Sequence, residues 1–163
     1  MMRMFGGAVV LIVGISSAWT GAASYIVASP QGGTPGAEAA EQVTVQQYDE
    51  IEKTIDERYS ALQKQLAARQ LQEASKTAEQ LAVAFGESEK FWAQRKKADA
   101  VKWAQNSREF ATQVVGATTA GDIAKTEQAA VRMRGACNQC HAAYREMDPA
   151  SGYRIKAAAL VPR

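Results

Sequence analysis

The chain has 163 residues, 47% of them hydrophobic, with 19 Lys and Arg against 17 Asp and Glu for a formal net charge of +2. That length holds one domain and an N-terminal segment, and so even a charge balance points to neither nucleic acid nor another polyanion, while no long basic run argues for a lipid surface. Much of the apolar content is alanine, the best helix former, which suits closely packed helices.

Residues 1–28 read as an export signal or an N-terminal membrane anchor. Arg3 is the only early basic residue, and Phe5 to Ala28 carry no charged side chain. Basic start, apolar run and small residues are the marks of a cleaved signal, with Gly21-Ala22-Ala23 or Ile26-Val27-Ala28 as its end. The run is also long enough to span a bilayer, which needs about 20 apolar residues. Both readings place the domain outside the cytoplasmic membrane, in the periplasm, either soluble or anchored. Residues 29–41, rich in Pro, Gly and Ala, read as a linker.

Residues 42–149 carry four amphipathic patterns. Thr44 with Gln47 three residues later predicts a capping box, with Val43 and Tyr48 placed to staple across it. Tyr48, Ile51, Ile55, Tyr59, Leu62 and Leu66 then recur at steps of three and four, the period of a helix with one apolar stripe. A step of five from Leu66 to Leu71 predicts a break around 67–70. A second helix follows through Ala74, Ala78, Leu81 and Phe85, with Gly86 as its stop and residues 87–97 as a polar connection. Ala100, Trp103, Ser107, Phe110 and Val114 form a third stripe ending near Gly116. Trp103 and Phe110 read as core. Gly121-Asp122 supplies a turn and an N-cap for a fourth helix through Ile123, Ala130, Met133, Cys137, His141 and Tyr144, which Asp148-Pro149 would end. Residues 150–163 form a tail without a recognisable pattern. With short links and no strand signal, the expected fold is all-α, an antiparallel four-helix bundle.

Cys137-Asn138-Gln139-Cys140-His141 is a Cys-x-x-Cys-His sequence, the attachment signature of c-type haem. On a helix, Cys137 and His141 fall on one stripe with Cys140 beside it. The two thiols can then form thioethers to the porphyrin while the imidazole ligates iron. These are the only cysteines and the only histidine in the chain. A structural zinc site needs four ligands, and no fourth Cys or His exists. A redox Cys-x-x-Cys belongs near a βαβ pattern, which is not visible here. A disulfide between Cys137 and Cys140 stays open as an alternative and leaves His141 as coincidence.

The last helices resemble the cytochrome c′ family, which carries Cys-x-x-Cys-His-x-x-(Tyr/Phe)-(Arg/Lys) late in the last helix of a four-helix bundle. The matching residues are Cys137, Cys140, His141, Tyr144 and Arg145, with Trp103, Phe110 and Gly121-Asp122 upstream. The resemblance implies one covalently bound haem c per chain, His141 as the iron ligand and Arg145 close to it. It also implies a distal residue on the first helix, which by register is Tyr48 or Ile51. Gln46 and Gln47 stand where the family places basic side chains. Family members often form homodimers, and one is a possible assembly here.

A low-spin electron carrier needs a second strong axial ligand, normally Met or His. Met133 and Met147 share the helix of His141, Met1, Met2 and Met4 lie in the export segment, and no second His exists. The expectation is therefore five-coordinate, largely high-spin iron facing an apolar distal pocket. The implied function is binding of a small gas such as nitric oxide or carbon monoxide, with one-electron redox at the iron. The alternatives are an electron-transfer cytochrome serving a membrane oxidase or reductase, and a haem-free bundle that binds a partner or is structural.

Overall fold

The structure, a computed structural model, describes residues 42–161. The export segment and the linker expected from the sequence lie outside these residues. None of the described helices is long and apolar enough to cross a membrane.

Four helices pack together: α1 (Val45–Ala67), α2 (Leu71–Gln94), α3 (Ala98–Thr119) and α4 (Ile123–Tyr144). Their ends meet in alternation. The start of α1 touches the end of α2 through Val43 N–H and Gln94 Oε1 (3.0 Å). The end of α1 meets the start of α4 through Arg69 and Glu127 (3.2 Å). Consecutive helices therefore run in opposite directions. At the start of α1 the capping box forms as the sequence predicts: Gln47 N–H donates to Thr44 Oγ1 (3.1 Å) and Thr44 N–H to Gln47 Oε1 (2.7 Å). Asp122 caps α4 by accepting from Lys125 N–H at 3.0 Å.

The break after α1 falls at residues 68–70, as the step of five predicts, whereas α2 and α3 run on past their expected ends. Each of α1, α2 and α3 closes in the same pair of reversed bonds, a Schellman motif. These are Gln70 N–H to Gln65 O with Arg69 N–H to Leu66 O, Lys97 N–H to Trp92 O with Lys96 N–H to Ala93 O, and Asp122 N–H to Ala117 O with Gly121 N–H to Thr118 O. The motif needs a left-handed residue, usually Gly. Only Gly121 obliges (φ 69°); Arg69 (φ 59°) and Lys96 (φ 55°) fill that place in the other two. Gly86, read as a stop, instead lies inside α2, and Gly116 lies inside α3. Residues 87–94, read as a connection, are helical, and they bring Phe91 and Trp92 into the core at 0% and 2% exposure.

The C-terminal segment also departs from the all-helical expectation. The fourth helix stops at Tyr144 rather than at Asp148-Pro149. Residues after it form a two-stranded antiparallel hairpin, β1 (Arg145–Asp148) with β2 (Gly152–Ile155). Asp148 Oδ1 accepts from Ala150 and Ser151 N–H at 2.8 and 3.1 Å, and Gly152 takes a positive φ of 83°. A short α5 (Ala157–Leu160) follows and buries Ala159. The strands are four residues each, too short to show an alternation that the sequence could reveal.

Apolar burial divides into two regions. One is built from Ile55, Leu62, Leu81, Phe85, Val114 and Met133 along the middle of the bundle. The other lies toward the hairpin end, around Tyr48, Phe91, Trp92, Ala100 and Ala159. Tyr48 stacks on Phe91 with centroids 3.8 Å apart, and Trp92 meets both rings edge-on.

Candidate functional site

The Cys-x-x-Cys-His sequence occupies the last two turns of α4. Helical spacing turns Cys137, Cys140 and His141 inward together. All three are half-buried and line one cavity between α1 and α4, bounded also by α2 and α3. Its volume is about 30 Å³, room for a water-sized guest. Cys137 packs against the mid-bundle core and Cys140 against the aromatic core, so the motif bridges the two apolar regions.

Both thiols are unpaired. Burial pushes Cys137 up to about 11 despite the nearby Ser107 hydroxyl. Burial pushes Cys140 up to about 12, with the Glu52 carboxylate adding to the shift. Redox-active Cys-x-x-Cys thiols have depressed values, often below 7.5. These two move the opposite way, which argues against a nucleophilic dithiol.

The wall opposite α4 is polar, not the apolar face expected from the sequence. Glu52, on α1, presents Oε2 to His141 Nε2 at 3.5 Å. The same carboxylate is bonded by the Arg145 guanidinium. Its other oxygen accepts from the Tyr48 hydroxyl at 2.7 Å, and that hydroxyl accepts from Trp92 Nε1–H at 2.9 Å. Burial alone would raise the Glu52 carboxyl, but His141, the Arg145 charge and the Tyr48 hydroxyl outweigh it and hold the group below its ordinary value. Tyr48 itself is driven well above the ordinary tyrosine value by burial and by the adjacent Glu52 charge.

Of the two candidates for the distal place, Tyr48 lines the cavity. Ile51 does not: it packs against the mid-bundle core and faces a shallow depression shared with Val43, Gln46, Gln47 and Glu87. Arg145 is next to the histidine, its Nη1 3.5 Å from His141 Nδ1. Trp103, read as core, also lines the cavity. Glu52 was not singled out by the sequence, since one acidic residue on an amphipathic helix reads as solvent-facing. The signal available was its place one turn after Tyr48 and one residue beyond the apolar stripe.

Among the described residues, no group of three or more His, Cys, Asp or Glu side chains is arranged to hold a bare metal ion. A haem iron asks less of the protein, because the porphyrin supplies the equatorial ligands and a single imidazole suffices. Two thiols and one imidazole along one face of one helix, all opening on one cavity, suit that group. No family model, no curated protein and no solved structure matches the chain.

Proposed function

We propose that this chain is an exported c-type haem protein of the cytochrome c′ type that binds a small diatomic gas. The observation that carries the reading is the placement of the chain's only two cysteines and only histidine side by side on the cavity face of α4. Cys137 and Cys140 would hold the haem as thioethers, and His141 would ligate its iron. When bound, the group supplies a metal that exchanges one electron and takes a small axial ligand.

The remaining work falls to the chain's own side chains. Arg145, whose Nη1 lies 3.5 Å from His141 Nδ1, has no acceptor for the N–H that an iron-bound imidazole carries there, so it would act on His141 through its charge and not as the partner of that N–H. No methionine is among the described residues lining the cavity. Met133 is buried in the mid-bundle core and Met147 is exposed on β1, which supports an iron with one protein ligand. A second cleft, between α1 and the hairpin, shares Tyr48, Glu52 and Asp56 with the first and adds Arg145 and Arg154. With Lys53 of the same cleft and Arg134 of the first cavity, these guanidiniums would be cations within reach of haem propionates, where Gln46 and Gln47 carry no charge. Iron bound at His141 Nε2 would take the place of the contact that this nitrogen now makes with Glu52 at 3.5 Å.

Protein produced with haem-attachment machinery should retain haem on a denaturing gel, and Cys137→Ala with Cys140→Ala should lose it. The ferrous spectrum should be high-spin and should shift on adding carbon monoxide. A wild-type chain without bound haem would leave a haem-free helical bundle as the reading. Split low-spin ferrous bands, indifferent to carbon monoxide, would favour an electron carrier.

A further inference from the structure

Two indoles converge on the ring of Tyr144, the half-buried last residue of α4: Trp92 with centroids 4.8 Å apart, and Trp103 at 6.2 Å. These are the separations of aromatic rings in contact. Trp103 lines the cavity beside Cys137, Cys140 and His141. Trp92, 2% exposed, is joined to the cavity wall through Tyr48, whose hydroxyl accepts its Nε1–H at 2.9 Å. The Tyr144 hydroxyl in turn donates at 2.6 Å to Oδ1 of Asp99, an exposed residue in the first turn of α3. The rings thus lead from the cavity wall to a carboxylate in solvent.

The proton partners along this path differ in kind. Trp92 Nε1–H is bonded to a hydroxyl, which is no base, so an oxidised Trp92 keeps its proton and stays a strong oxidant. Tyr144 is bonded to a carboxylate, which can take the phenolic proton as the electron leaves. A phenol so placed is easier to oxidise than an indole without a base, because no charge builds on its ring. Tyr48 also donates to a carboxylate, but the Arg145 guanidinium bonded to Glu52 opposes protonation there. Core packing alone asks for none of this, since Phe at 144 would fill the same space.

We propose that Trp92, Trp103 and Tyr144 form an electron-transfer chain that carries oxidising equivalents from the cavity to the surface, where a small phenol or thiol reduces them at Tyr144. The source of those equivalents rests on the haem reading: hydrogen peroxide, reduced at the bound group. Each peroxide takes two electrons and two protons as its O–O bond breaks to give two waters. Each electron drawn from an indole leaves an indole radical cation. Tyr144 returns that electron while its O–H bond breaks and the proton passes to Asp99 Oδ1. The products are a neutral indole, a neutral phenoxyl radical and a protonated Asp99. A hydrogen atom from the external phenol or thiol restores the Tyr144 hydroxyl, and Asp99 releases its proton to water. An oxidising equivalent that leaves by this route is not spent on the side chains lining the cavity.

The test reads the radicals directly. In the haem-loaded full chain, peroxide followed by rapid freezing should give the electron spin resonance signal of a tyrosyl radical. Tyr144→Phe should remove that signal, and Tyr153→Phe, at an exposed ring on β2, should leave it. The haem-free full chain, carrying Trp19→Phe and Tyr25→Phe to silence the N-terminal segment, separates the electron path from the haem reading. There a pulse of azide radicals oxidises indole, and the indole radical absorbance should decay into that of a tyrosyl radical at a rate independent of protein concentration. Asp99→Asn keeps a hydrogen-bond acceptor but not a base, and should slow that decay at least about tenfold. Tyr144→Phe should abolish it. Haem-loaded protein that forms no tyrosyl radical, a signal that survives Tyr144→Phe, or an indole decay unmoved by Asp99→Asn overturns the proposal and leaves the haem reading standing. A wild-type chain that takes up no haem yet passes the electron from indole to Tyr144 retains the electron path and overturns the haem reading.

Discussion

Replacing Tyr48 with Phe removes a single oxygen atom and breaks two bonds. Trp92 Nε1–H loses its acceptor at 2.9 Å, and Glu52 loses a donor at 2.7 Å. A buried donor left unsatisfied costs about 1–3 kcal/mol, and a hydrogen bond to a charged group contributes about 1.5–3 kcal/mol. Glu52 is 16% exposed and recovers some water, so the two losses do not add in full; the expected cost is about 2–4 kcal/mol. With a urea dependence of about 1–3 kcal/mol per molar for a domain of this size, the unfolding midpoint should fall by about 1–2 M. Circular dichroism at a helical wavelength reads this directly. The mechanism is separated from simple repacking by a Trp92→Phe background, which has no indole N–H to orphan. There the same Tyr48→Phe change should cost at least about 1 kcal/mol less. A loss under about 0.5 kcal/mol, or an equal loss in both backgrounds, would refute the bonded chain from Trp92 to Glu52.

Gly86→Ala should stabilise the fold by about 0.5–1 kcal/mol, because Gly86 is inside α2 and an added Cβ meets only Arg108 Nη1 at an ordinary 3.8 Å; thermal unfolding should move up by about 3–6 °C. At the left-handed Lys96, Gly should raise stability by up to about 1 kcal/mol, and β-branched Val should lower it by about 1–2 kcal/mol. Urea unfolding of both variants checks the sign of each. Asp122, held below the ordinary carboxylate value by Lys125, contributes stability that is fully present above about pH 4 and is lost as pH falls through its depressed value. Asp122→Ala should therefore lower stability at neutral pH and flatten the acid limb of the stability profile.

The bundle was legible because its stripes are regular: Ile55, Leu62, Leu66, Leu81, Val114 and Met133 are all buried where a period of 3.6 puts them. The start of α1 and the cap of α4 were legible because Thr44, Gln47 and Asp122 act locally, within three residues. The end of α1 showed only as the step of five from Leu66 to Leu71, and the end of α2 was hidden because Lys96 takes a backbone conformation that sequence reading assigns to Gly. That error carried Phe91 and Trp92 out of the helix and so out of the predicted core. Cys137, Cys140 and His141 declared themselves by spacing, and the cavity they share follows from α4 facing inward. Glu52 could not be read the same way. Its meaning comes from Arg145 and His141, some ninety residues away, and local periodicity carries no information about such pairs.

Two lysines fasten the last residues of the chain to the rest. Lys156 Nζ donates to Ala143 O at 2.8 Å and Ala142 O at 3.2 Å, the carbonyls that α4 leaves open at its end. Lys97 Nζ, buried at the turn between α2 and α3, donates to Val161 O at 3.0 Å. The hairpin and α5 thus serve as a clasp over the turn that carries His141. Opening of the clasp frees those carbonyls and unwinds that turn in the same event. Amide protons near His141 and those of β2 should then exchange with solvent as one cooperative unit, slower than the fraying of an ordinary terminus and faster than the middle of the bundle.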